Sequence, residues 1–186
     1  MITMKITKLF FSLIALLAFC QVSFAQEKTV TVGGAPMYPS KNIVENAVNS
    51  KDHTTLVAAV KEAGLVETLS GPGPFTVFAP TNKAFDKVPK GTLESLMKPE
   101  NKTQLTSILT YHVVPGKISA EELMKMIKDG KGKAALKTVN GESLTATMKG
   151  KKVELVDTKG NTATVTIPDV NQSNGVIHVI DTVLIP

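Results

Sequence analysis

The stretch Gly73-Pro74-Phe75-Thr76-Val77-Phe78-Ala79-Pro80-Thr81-Asn82-Lys83-Ala84-Phe85 decides the fold. Phe75 to Ala79 is apolar or β-branched throughout, which suits a strand, and Gly and Pro punctuate both sides. A run without a polar face predicts a strand covered on both sides. Pro80 cannot donate to a ladder and should turn the chain out of the sheet. Thr81 or Asn82 then offers a side-chain oxygen to cap a short helix that returns Phe85 toward the strand. Phe75, Phe78 and Phe85 concentrate rings in a chain that is only 5% aromatic, so this stretch reads as the core nucleus.

Upstream, the chain opens with Lys5 and Lys8, an apolar run from Leu9 to Phe19, and Ser23-Phe24-Ala25. That is the layout of a signal peptide over residues 1–25, and it implies a secreted or periplasmic protein. The apolar run falls short of the ~20 residues a membrane helix needs, and no later stretch approaches that length. The only cysteine, Cys20, lies inside this leader, so thiol catalysis and thiolate metal sites are excluded from the exported chain. Phe19 is bulky where a lipid-attachment signal wants a small residue. The remainder suits one domain.

Residues 26–41 read as a polar, extended lead-in. Ser40 or Asn42 can cap a first helix, and Asp52 or Thr54 a second that ends at Gly64. Short helices are expected around Leu93 and around Leu105, Ile108 and Leu109. Tyr111-His112-Val113-Val114 reads as a strand, and Ser119 with Glu122 as a capping box. The lysines from Lys125 to Lys137 read as a solvated loop. From Ser143 the pattern alternates apolar with Thr or Ser, the mark of antiparallel strands with one covered face. Pro168 to Gly175 reads as a loop, and Val176–Ile180 with Val183–Ile185 as the last strands. Helices first and strands later give an α+β class.

The net charge of +5 includes the two leader lysines, and every basic residue is Lys. Nucleic-acid readers lean on Arg forks, so that class is set aside. No G-x-S-x-G elbow, H-E-x-x-H pair or Walker loop occurs, so we expect no enzyme and no cofactor.

Three segments together resemble the fasciclin-like domain family: Gly73 to Phe85, Leu109 to Gly116, and Asn174 to Leu184. The match runs from Asn42 to Pro186, and Met37 to Thr55 also resembles single-domain bacterial secreted members. The resemblance implies a fasciclin-like fold, a wedge-shaped β-sheet packed against several short helices. It marks Phe75, Phe78, Thr81, Asn82, Phe85, Tyr111, His112, Asn174, Gly175 and His178 as the structural motif. It also implies a non-enzymatic adhesion role toward a cell-surface or matrix protein or a glycan, with no nucleic acid, in a monomeric or weakly associating chain. Tyr111 and His112 resemble a motif tied to integrin contact in animal members, and Pro168-Asp169-Val170 resembles their adhesion tripeptide. These five are the candidate partner contacts.

Strand periodicity would put His112 on one face with Val114, and His178 with Val176 and Ile180. Buried imidazoles must be hydrogen-bonded and are favoured neutral, so they read as pins between segments, with the Thr81–Asn82 turn as the expected polar neighbour. The sharper alternative is a metal pair completed by His53 or a carboxylate. Asp169→Ala should weaken attachment and leave stability unchanged. A second functional reading is a carrier of an apolar small molecule, such as the carotenoids some family members bind. Met97, Met124, Met126 and Met148 would line its groove.

Overall fold

The sheet is built outward from the Phe75 strand. The structure, a computed structural model, describes residues 29–186, so the leader expected at 1–25 lies outside the described residues. Two short strands come first, β1 (Val30–Val32) and β2 (Ala35–Met37), paired as a hairpin. The lead-in is therefore extended but folded back on itself. Gly33 and Gly34 form the two-residue turn with φ of 58° and 78°, left-handed values that suit glycine. The hairpin's Val32 and Met37 are buried in the core.

Helices α1 (Ile43–Ala47), α2 (Thr54–Ala63) and α3 (Val66–Ser70) precede β3 (Phe75–Pro80). Then come α4 (Asn82–Phe85), α5 (Lys90–Leu96), a 3-10 turn (Pro99–Asn101), α6 (Lys102–Tyr111), β4 (Val113–Pro115) and α7 (Ala120–Asp129). Strands β5 (Lys133–Lys137), β6 (Ser143–Lys149), β7 (Lys152–Val156), β8 (Thr162–Gln172) and β9 (Gly175–Ile180) complete the α+β chain. Among the described residues no helix is long and apolar enough to cross a membrane.

Seven strands join in the order β4-β3-β9-β8-β7-β6-β5. β3 runs parallel to β9, with Phe78 opposite His178, and the other neighbours are antiparallel. Val139, just past β5, donates to the Val113 carbonyl of β4 (2.8 Å), so the two ends of the strand order meet and the sheet rolls up. β3 and β9 thereby separate two cores. Val77, Ala79, Ile177 and Val179 face the first core, which Ile43, Val60, Leu69 and Leu105 of the helices fill. Phe78 and Ile180 face the second, with Tyr111, Leu123, Leu144 and Leu155. This is the double cover that the unbroken apolar run of β3 predicts. Pro80 ends β3 without loss, because β4 pairs only with Phe75–Val77 and has no acceptor waiting there.

Several expectations are corrected. Tyr111 closes α6 and His112 caps it, so neither lies in a strand. The apolar spacing Leu105, Ile108, Leu109 continues into Tyr111. Lys133–Lys137 is an edge strand rather than a loop, with Ala134 and Leu136 inward and Lys133 and Lys137 outward. Edge lysines discourage pairing with another chain. Pro168-Asp169-Val170 lies within β8, at a register shift between Ile167 and Val170. The bulge tolerates proline because its missing N–H leaves no gap in the ladder. Val183–Ile185 is not a strand. The amides of Leu184 and Ile185 bind the ring of His112 and the carboxylate of Asp157 instead.

Candidate functional site

Three helix N-termini are capped by side chains from remote segments. A helix start leaves backbone N–H groups without intrahelical partners. His53 precedes α2 but makes no cap bond. Asn82 supplies it: Oδ1 accepts from Thr55 N (3.0 Å), while Nδ2 donates to the Lys51 carbonyl (2.9 Å). Asn174 Oδ1 accepts from Ile43 N at the start of α1 (3.0 Å), and Nδ2 donates to the carbonyls of Leu69 (2.8 Å) and Gly71 (2.9 Å). Asp169 Oδ1 accepts from Ala120 N at the start of α7 (2.8 Å). Thr81 caps α4 locally through Ala84 N (3.3 Å), as read from the sequence. The capping boxes Asn42/Glu45 and Ser119/Glu122 are both formed.

Gly175 completes the Asn174 corner. A Cβ there would fall inside the carbonyl group of Phe75, the partner residue in β3, so only glycine fits.

His112 and His178 are fixed in opposite tautomers by their partners. His112 Nδ1 donates to the Ile108 carbonyl (2.8 Å), and Nε2 accepts from Leu184 N (3.1 Å). His178 Nε2 donates to the Ile118 carbonyl (2.9 Å), and Nδ1 accepts from Asp169 N (3.2 Å). The His178 ring stacks on Phe78 at 5.7 Å between centroids. Burial drives His112 down to about 4, partly offset by the Ile108 carbonyl and the charge of Asp157. Burial also lowers His178, against the Ile118 carbonyl and Asp169. Both rings are therefore neutral at pH 7. All four nitrogens are spent on backbone groups, so neither ring has a lone pair for a metal ion. Their partners are not the Thr81–Asn82 turn that the sequence suggested. That turn serves α2 and α4.

The five candidate contacts separate by depth. Tyr111, His112 and Val170 are fully interior, at 0%, 3% and 1% exposure. Tyr111 donates its hydroxyl to the Ser143 carbonyl (3.2 Å) and meets His112 edge-on. Pro168 is exposed and Asp169 half-buried. Asp169 adopts φ 56°, a left-handed value that Asp tolerates better than most residues. Its carboxylate caps α7 while its backbone N–H donates to His178, so loss of the side chain removes the cap and costs stability. That cross-chain role was invisible locally. Of the four methionines, Met124, Met126 and Met148 are exposed, and Met97 packs beside the first core. They do not share a groove in the cavity between α1, α2 and the sheet.

These features define an α+β domain whose buried histidines and half-buried capping side chains lock helices to a rolled, mixed sheet. The fasciclin domain model matches residues 51–186. Protein sll1483 of Synechocystis sp. is 51% identical over 160 residues, covering 86% of this chain and 82% of that protein. The immunogenic protein MPB70 of Mycobacterium bovis is 38% identical, covering 75% and 66%. Among solved structures, a FAS1 domain pair from the insect cell adhesion molecule fasciclin I superposes with a TM-score of 0.72 at 20% identity, covering 80% of this chain and 52% of that one. The chain belongs to the fasciclin domain family.

Proposed function

We propose that the protein is an exported, non-enzymatic interaction module that binds a cell-surface or matrix protein or a glycan. The solved relative comes from a cell adhesion molecule. The observation that carries the reading is the β8 bulge. It holds an exposed proline ring beside a half-buried acid in one fixed geometry. Asp169 is pinned on one side by Ala120 N and on the other by the His178 ring. A rigid contact loses little entropy on binding. Pro168 and the open side of Asp169 meet the partner, while the buried His178 ring and Val170 hold the bulge from within.

Pro168→Ala isolates the contact, since Pro168 donates no bond and surface changes usually alter stability by less than about 0.5 kcal/mol. Immobilised protein is challenged with envelope extract and with whole cells of the source. The variant should melt like the parent and retain much less material. Equal retention by both proteins refutes the contact.

A further inference from the structure

The positive charge of the domain is gathered in one stretch. Residues 130–166 hold seven lysines and three acids, whereas the other described residues hold eleven lysines and twelve acids. One of the three acids, Asp157, is buried and bound by the backbone amides of Lys159, Asn161 and Ile185. The strand register places the lysines. Ala134, Leu136, Leu144, Ala146, Val153 and Leu155 of β5, β6 and β7 are buried, so the residues between them face outward. Lys133 lies opposite Thr147, Thr147 opposite Glu154, and Lys149 opposite Lys152. With Lys131 in the α7–β5 turn and Lys151 in the β6–β7 turn, five exposed lysines stand at one end of three adjacent strands. Neighbouring strands lie about 4.8 Å apart, so β5 and β7 are about 10 Å apart. The screening length in physiological salt is about 8 Å, so the fields of these lysines overlap. Glu154 is the acid among them, and Lys149 holds it (2.9 Å). Asp181, beyond Thr164, accepts from Thr164 N (2.8 Å) and the Thr182 hydroxyl (3.1 Å). Lys131, Lys133, Lys151 and Lys152 have no carboxylate partner among the described residues.

Three of these lysines break local rules. Lys131 has φ 56°, a left-handed value that glycine adopts more cheaply. Lys149 and Lys152 are like charges directly opposite one another, which weakens a strand pair. Edge protection accounts for lysines on β5 alone, because β6 and β7 are interior strands. Local rules are broken without gain to the fold chiefly where function requires it.

We propose that the lysine end of the β5–β7 face binds an acidic polysaccharide, with its anionic groups on Lys131, Lys133, Lys151 and Lys152. Half-buried Thr145, Thr147 and Thr164 give the same face hydroxyls that meet those of the sugar. This surface excludes the β8 bulge and does not depend on it. Residues 130–166 contain no aromatic residue, so nucleic-acid bases have nothing to stack on, and the chain has no Arg fork to read them. A protein partner would draw its affinity from an aromatic or Arg anchor, and the face offers neither. A bilayer seats an apolar face beside the charge. Among the described residues Met148 is the one exposed large apolar side chain of β5, β6 and β7. A hydrated polyanion requires none of these.

The test measures binding of the purified protein to polygalacturonate, dextran sulfate, dextran, duplex DNA and phosphatidylserine vesicles in about 0.15 M salt. Saturable binding of at least one acidic polysaccharide is expected, and the preference between the two tells carboxylate from sulfate. Dextran should not bind, and DNA and vesicles should bind at least about tenfold more weakly. Lys131→Gly, Lys133→Gln and Lys152→Gln together should weaken polysaccharide binding about tenfold, in a protein that melts no lower than the parent. Lys61→Gln, Lys83→Gln and Lys98→Gln remove the same charge from exposed positions elsewhere and should change binding less than about twofold. Pro168→Ala should bind polysaccharide like the parent, so loss of this site and loss of the bulge contact are read separately. Failure of both acidic polysaccharides to bind, equal binding of DNA or vesicles, or an equal loss in the two triple variants would overturn the site.

Discussion

Lowering the pH from 7.5 to 5.0 should remove about 2 kcal/mol of folding stability through His112 alone. The ring holds a proton at about 4 when folded and near 6.5 when unfolded. The unfolded chain therefore binds protons more readily, and stability falls with acid. The contribution is complete above the unfolded value, begins to drop near pH 6.5, and is fully lost below the folded value. The whole loss is about 3 kcal/mol at 1.36 kcal/mol per unit. The structural cause is plain. A second proton on His112 would set an N–H against the Leu184 N–H and a charge in an apolar interior. His53 and His178 are also lowered and add in the same direction. The assay is urea unfolding at pH 7.5 and 5.0 for the parent and His112→Gln. The variant is less stable at pH 7.5, but its loss between the two pH values is smaller by about 2 kcal/mol. An equal loss in both proteins would refute the assignment of the titration to this ring.

Two further predictions concern the remote caps. Asn174→Ala deletes three bonds that join α1, the end of α3 and β9, and should cost about 2–4 kcal/mol in urea unfolding. A loss below about 1 kcal/mol would mean that water replaces them. Asp169→Ala loses the α7 cap and also strains a left-handed backbone, whereas Asp169→Gly loses only the cap. Ala should therefore be the less stable of the two by about 1 kcal/mol, and the reverse order would contradict the bulge geometry.

The residues that carried local signals were legible. The β3 run, the Ser119 capping box, the Gly64 helix exit and the alternation from Ser143 each state their structure within a few residues. What escaped depended on partners far along the chain. Asn82 looked like a cap for its own helix and instead caps α2, which lies earlier in sequence. Nothing near His112 names Leu184 as its partner. Two misses did carry a local signal. Gly33-Gly34 between Val32 and Ala35 is a two-residue hairpin turn, and the three-residue arms with Pro36 in one of them obscured it. Ala134 and Leu136 alternate with lysines, but the lysine run suggested solvent. Pro168 argued against a strand, and the bulge that accommodates it could be seen only in three dimensions.

The central claim is that two buried imidazoles serve shape by holding single, opposite tautomers. Nitrogen-15 spectra of the histidine rings test it most directly. The account predicts His112 protonated on Nδ1 and His178 on Nε2 at pH 7, with His112 still neutral at pH 5. Either ring titrating near 6.5, or averaging between tautomers, would contradict it.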